Sequence, residues 1–162
     1  MMTLEPLLNA PLAVQIHAGF ALTALLLGPV TLWRRRRDRV HKVLGYVWVL
    51  ALGVAAVVSF AITSPFSPIG LSPIHLLSVY ALYGLWVAMR AILQGRVILH
   101  RQVMQNLYVR GVALAGAFNF LPGRTTQRIL IPDTPELGYA IIAVVLVWAF
   151  VPILRARRAH TA

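Results

Sequence analysis

The sequence predicts an all-α integral membrane protein: a helical bundle of five transmembrane helices, four of which form a core built from two repeated helix pairs. Three observations predict it. Apolar stretches long enough to cross a bilayer, about 20 residues each, recur along the whole chain. Charged residues make up only 12% of the sequence and hydrophobic residues 59%, whereas a soluble domain carries roughly a quarter charged. The basic residues are gathered in short segments between the apolar stretches, which is the pattern of membrane topology rather than of a soluble basic surface.

Taken in order, the spans fall at residues 12–33, 40–62, 73–93, 103–121 and 137–154, within a single membrane domain covering 1–162. Arg34 to Arg37, Arg39 and Lys42 separate the first two spans, Arg96 and Arg101 separate the third and fourth, and Arg155, Arg157 and Arg158 follow the fifth. Alternating spans put these three segments on one side, and an excess of Lys and Arg marks that side as cytoplasmic. The opposite side receives Glu5, the 63–72 loop, and the 123–136 loop with Asp133 and Glu136; only Arg124 and Arg128 break the asymmetry. The expected placement is a bacterial inner membrane, N-terminus outside and C-terminus cytoplasmic. Residues 1–10 hold no Lys or Arg, so they lack the basic start of a cleaved signal peptide, and span one is expected to be retained.

Local signals agree with these boundaries. Asp38 is placed to cap span two, and Pro73 suits the first turn of span three, where a missing N–H costs nothing. Pro65, Pro68 and Pro122-Gly123 give the outer loops breaker chemistry. Trp33, Tyr46, Trp48, Trp86 and Tyr139 read as an interfacial aromatic belt.

Several function classes are excluded or disfavoured. There is no cysteine, which removes disulfides, thiolate metal sites and cysteine nucleophiles. The formal charge of +11 lies in loops at headgroup depth, so the expected partner is the lipid bilayer and not nucleic acid. No nucleophile–base–acid set points to enzyme chemistry. A transporter would carry intramembrane acids at a midplane site, and the four acidic residues all fall outside the spans.

Of five histidines, His160 belongs to the basic tail, and the other four form a pattern. His41 follows His17 by 24 residues, and His100 follows His75 by 25. Ile16-His17 matches Ile74-His75, His41-Lys42 matches His100-Arg101, and Gly45-Tyr46-Val47 loosely answers Leu107-Tyr108-Val109. This reads as one two-helix unit used twice. In a four-helix bundle His17 and His75 reach the same outer depth, and His41 and His100 the same inner depth. Facing imidazoles in a bundle core can bind an axially ligated haem iron, so the arrangement predicts two b-type haems stacked across the bilayer. Gly45, one turn past His41, and Gly28 and Gly111, eleven residues past His17 and His100, leave room for a macrocycle; glycine also lets helices pack closely. Cations for the propionates would be the Arg34–Lys42 cluster and Arg101 inside, with Arg124 and Arg128 outside. Histidines at helix ends can equally donate to neighbouring carbonyls, and Met104 near His100 leaves a copper reading open. Two histidines per end fall short of the three or four ligands usual for zinc. Arg110, about 15 Å deeper than His100, either snorkels, makes structural hydrogen bonds to carbonyls, or holds an anionic ligand such as a quinone oxygen or a propionate. Arg90 lies close enough to the inner surface to snorkel.

These residues resemble a widespread prokaryotic family of predicted membrane proteins without assigned function. The resemblance spans His17 to Arg128 and rests on six blocks. They are Ala21 to Pro29 (ALTALLLGP), His41 to Gly45 (HKVLG), Ser59-Phe60, Ser72 to Ser78 (SPIHLLS), His100 with Met104, and Ala115 to Arg124 (AGAFNFLPGR). In arrangement the chain is also similar to the dihaem transmembrane b-type cytochromes, which place histidines alternately at the two ends of a four-helix core. That resemblance implies electron relay involving quinone or a redox partner protein. This chain departs from it in having histidines very near the span ends and a fifth span without a ligand. The alternative expectation is a non-catalytic membrane scaffold or accessory subunit without cofactor.

Overall fold

Every regular element among residues 4–62, 75–131 and 133–159, the part of the chain described by the computed structural model, is helical. The elements are α1 (Glu5–Leu8), α2 (Leu12–Leu32), α3 (Arg39–Ser59), α4 (His75–Leu93), α5 (Val97–Asn106), a π-helical segment (Leu107–Ala113), α6 (Leu114–Phe118), α7 (Thr125–Leu130) and α8 (Pro135–Ala159). Pro73, the 63–72 loop and His160 lie outside the described residues.

Among the described residues, α2, α3 and α4 are each long and apolar enough to cross a membrane, and Glu136–Ala149 of α8 is a shorter apolar helix. The fourth stretch is helical without a break from Val97 to Phe118. It starts six residues before the expected 103, and Arg101, Gln102, Gln105 and Asn106 make its first half too polar to read as a span.

The helix ends follow from local chemistry. Asp38 caps α3 by accepting from the His41 backbone N–H at 3.0 Å, and Arg34 Nη2 meets its other oxygen at 2.6 Å. That guanidinium and the capping bond hold the Asp38 carboxyl below its ordinary value of 3.8. α4 ends in a Schellman turn in which Gly95, at φ 72°, takes the left-handed position. The Gly95 N–H bonds Ile92 O at 3.0 Å and the Arg96 N–H bonds Ala91 O at 2.9 Å.

α2 packs on α3, α3 on α4 and α4 on α5, while the π segment touches both α2 and α4; α8 packs outside, on α6. This closes a ring of four helical stretches. The core is lined with small residues, Ala24, Ala51, Ala56, Ala81 and Ala88, around Trp48, Leu85, Met104, Leu107 and Tyr108. Many of the leucines and valines lie outside: Leu22, Leu26, Leu50, Val57, Leu76 and Val79 are all exposed. Alanine inside and large apolar side chains outside is the inverse of a soluble bundle. It suits helices that approach closely within lipid, where packing rather than water exclusion joins them.

Two ring donors cross the bundle to α2. Trp48 Nε1–H donates to Ala24 O at 2.9 Å, and Tyr108 O–H donates to Leu25 O at 3.1 Å. The second bond has a local cause. Pro29 lies inside α2 and has no N–H, so the Leu25 carbonyl loses its usual helical partner. Gly28 supplies the space: a Cβ there would collide with the Tyr108 ring, whereas one at Gly19 would meet nothing. Trp48, expected in the aromatic belt, is fully buried by this packing, while Trp33, Tyr46, Trp86 and Tyr139 are exposed.

Two outcomes follow. Gly28→Ala should lower thermal stability in detergent by about 1–3 kcal/mol, the usual range for overpacking, while Gly19→Ala leaves the midpoint within about 0.5 kcal/mol. Asp38 has its pKa lowered by folding, so its contribution is present above 3.8 and lost as the pH falls below that through the folded value. Asp38→Asn keeps a capping oxygen but removes the charge, so it should lower the midpoint at pH 7 and lose most of that effect in acid; an equal difference at both pH values would refute the contribution of the Asp38 charge.

Candidate functional site

Each of the four histidines named by the sequence sits where two helices meet, and each ring faces backbone of the neighbouring helix. His17 Nδ1–H donates from α2 to Ala55 O of α3 at 2.8 Å. His75 Nε2–H donates from α4 to Ser59 O of α3 at 3.0 Å. His100 Nδ1–H donates from α5 to Ala88 O of α4 at 2.9 Å. His41, on the first turn of α3, lies beside the Thr31 backbone of α2, with Arg37 Nη1 3.4 Å from its Nδ1.

Two clusters result, one at each end of the bundle. At the end where α3 finishes, Ala55 and Ser59 are four residues apart, about 6 Å along one face of α3. His17 and His75 therefore converge on adjacent turns from α2 and α4. Ser59 Oγ–H donates to Ala56 O at 2.7 Å and stands 2.7 Å from Ser78 Oγ, while Phe60 stacks on the His75 ring at 5.7 Å. His75 is buried, and His17 is partly buried.

At the basic end, where α2 runs into the Arg34–Lys42 segment, His41 is close enough to His100 for their charges to act on each other. Gly45 lies one turn further on, and a Cβ there would meet only Thr31 Cγ2, at 4.0 Å. Thr31 Oγ1 is buried and has no hydrogen-bond partner among the described residues. Met104 is buried in the core. Arg101 is exposed at this end; Arg124 and Arg128 are exposed at the other, flanking and within α7.

The basic-end residues fit a haem iron in two respects. A metal-bound imidazole ordinarily anchors its second nitrogen on a carbonyl or carboxylate, and His100 does this through Nδ1, leaving Nε2. The orphaned Thr31 hydroxyl adds a polar group near His41, and Gly45 leaves its face against the Thr31 methyl lightly packed. At the other end His17 is anchored in the same way, while His75 commits Nε2 to Ser59 O. Gly28 leaves no cradle, because Tyr108 fills it. No group of three or more His, Cys, Asp or Glu side chains gathers among the described residues.

The π segment was not foreseen from the sequence. It carries Leu107, which seats on Gly84 of α4 with a Cδ2 2.5 Å from the glycine's Cβ position, and Tyr108, which seats on α2. Such segments recur at functional sites. Arg110 projects from it with no carboxylate or hydrogen-bond partner among the described residues, and its charge acts on Tyr80, whose Cε1 lies 3.7 Å from the Cβ position of Gly111. Pro29 and Tyr108 together were the available signal, a missing donor on one helix and a phenol on another.

A family model described as predicted membrane protein (DUF2306) matches residues 14–155. No curated protein matches the chain, and no solved structure does.

Interhelical hydrogen bonds in membrane proteins are worth about 0.6 kcal/mol on average and rarely above about 1.7. His75→Ala should fall at or above the top of that range, since it also removes the Phe60 stack, and His17→Ala near the average. Chemical denaturation of the two variants in detergent checks the ranking, which the reverse order would contradict.

Proposed function

The chain belongs to the DUF2306 family of predicted membrane proteins, and on that premise we propose that it is a membrane-embedded b-type haem protein that relays electrons. In this reading five spans cross a bacterial inner membrane with the N-terminus outside, and the four-helix ring is two repeated pairs. The single observation that carries the proposal is His100, anchored through Nδ1 on Ala88 O with Nε2 left over, at the end of the bundle that also holds His41 and the buried Thr31 hydroxyl, partnerless among the described residues.

His41 and His100 would hold the inner iron, and His17 and His75 the outer. Haem bound there supplies a one-electron iron couple. The chain's own contribution is to orient the imidazoles by carbonyl anchors, to exclude water with the Trp48–Leu107–Tyr108 core, and to offer cations to propionates. Those cations are Arg37, Lys42 and Arg101 at one end and Arg124 at the other. Quinone or a redox partner protein is the fitting electron donor or acceptor for a couple so close to the membrane surfaces.

A second reading has its own support. Four histidine rings meeting backbone, with Gly28 filled by Tyr108, suit a scaffold or accessory subunit in which histidine only joins helices.

One measurement separates the two. Protein purified in detergent from haem-replete cells should show a split α-band on reduction, and His41→Ala or His100→Ala should remove about half of the haem absorbance while His75→Ala removes the other half. A colourless protein whose histidine variants lose only stability would establish the scaffold.

A further inference from the structure

The Schellman turn after α4 has a consequence for charge. By bonding the Arg96 N–H to Ala91 O, it folds the chain back on the last turn of α4, the turn that carries Arg90. Arg90 and Arg96 both line one recess of about 250 Å³ with Trp86, Gln94 and Leu99. Arg90 is held over the Trp86 ring at 5.4 Å, and Tyr83 continues the aromatic stripe, 5.9 Å from Trp86. No carboxylate lines the recess, and neither arginine forms a salt bridge among the described residues.

We propose that this recess, between the end of α4 and the start of α5, binds the headgroup phosphate of an anionic phospholipid. The recess has the three parts such a ligand needs. Two guanidiniums match phosphate oxygens with paired N–H donors, and Arg suits this better than Lys because its fork is planar. The exposed faces of Trp86, Tyr83 and Leu99 give acyl chains an apolar surface. Gln94 offers an amide to a headgroup hydroxyl. A zwitterionic headgroup would bring its own ammonium against Arg90 and Arg96, and like charges at close range select against it. A basic pocket between helices near a membrane surface is where anionic headgroups bind. The proposal rests on the membrane placement of α4 and is independent of haem.

The probe is dihexanoyl phosphatidylglycerol added to the full chain in a nonionic detergent, with thermal shift giving an apparent Kd. Dihexanoyl phosphatidylcholine and inorganic phosphate at matched ionic strength are the other arms. Phosphatidylglycerol is expected to raise the midpoint, and the other two to leave it unchanged. The double variant R90Q/R96Q should weaken binding at least about tenfold, the loss of one or two charge-assisted hydrogen bonds, while R157Q/R158Q, with the same loss of net charge, should retain it. An equal shift from phosphatidylcholine, an equal shift from inorganic phosphate, or unchanged binding in R90Q/R96Q overturns the proposal. If R90Q/R96Q does not fold, R96K carries the test. It keeps the charge and loses the fork, so binding should weaken at least about threefold, and no change would overturn the assignment.

Discussion

The structure turns on one unpaired carbonyl. Pro29 removes the donor that Leu25 O would have had within α2, and in a lipid interior no water replaces it, so each such group is expensive to leave open. Tyr108 answers from the fourth helical stretch, 83 residues away, and Gly28 is the only type of residue that admits its ring. Closing the ring of four helices therefore depends on three positions acting together. Trp33 adds an edge contact to the Tyr108 ring at 5.6 Å, and Trp48 on α3 uses the preceding carbonyl, Ala24 O. The block from Ala21 to Pro29 thus presents two acceptors and a notch to two different helices.

The same rule governs the histidines. A polar ring inside apolar surroundings must find a partner, and the nearest acceptors are carbonyls on neighbouring helices. His17, His75 and His100 each take one. This bonding does not by itself decide between a structural and a ligating role, because an imidazole has two nitrogens. Anchoring one fixes the tautomer and direction of the other. What distinguishes the basic end is that its surroundings are incompletely satisfied. Thr31 Oγ1 is buried without a partner among the described residues and a Cβ at Gly45 would meet only the same Thr31 side chain, whereas His75 is bonded to Ser59 O and stacked by Phe60.

Much of the fold was legible in the sequence because bilayer length is a strong filter. α2 and α3 begin and end within three residues of the spans read from hydropathy, and Asp38 caps α3 as its position before Arg39 suggested. The histidine positions were equally visible, since four polar residues at span ends stand out against apolar runs. The fourth stretch was less so. Its first half, with Arg101, Gln105 and Asn106, carries little apolar signal, and its helicity comes from packing against α4. Nothing in residue type announces π winding at 107–113, which follows from seating Leu107 on α4 and Tyr108 on α2 from adjacent positions. Trp48 was misjudged for a similar reason: composition places tryptophan at interfaces, and only the facing Ala24 carbonyl draws this one inward.

These constraints bear on where a cofactor could sit. Tyr108 lies eight residues past His100, and Trp48 seven past His41, about 10–12 Å along their helices. Both are buried, and Tyr108 cannot leave Gly28 without exposing the Leu25 carbonyl. In the proposed reading His41 and His100 would hold a planar group, and the buried Trp48 and Tyr108 limit how far into the bundle its pocket could extend. By the same reasoning His17 and His75 are partitioned from it by Trp48, Leu107 and Tyr108. The two histidine pairs are then separate compartments joined through an aromatic layer, and an electron moving between them would cross the residues that hold the bundle together.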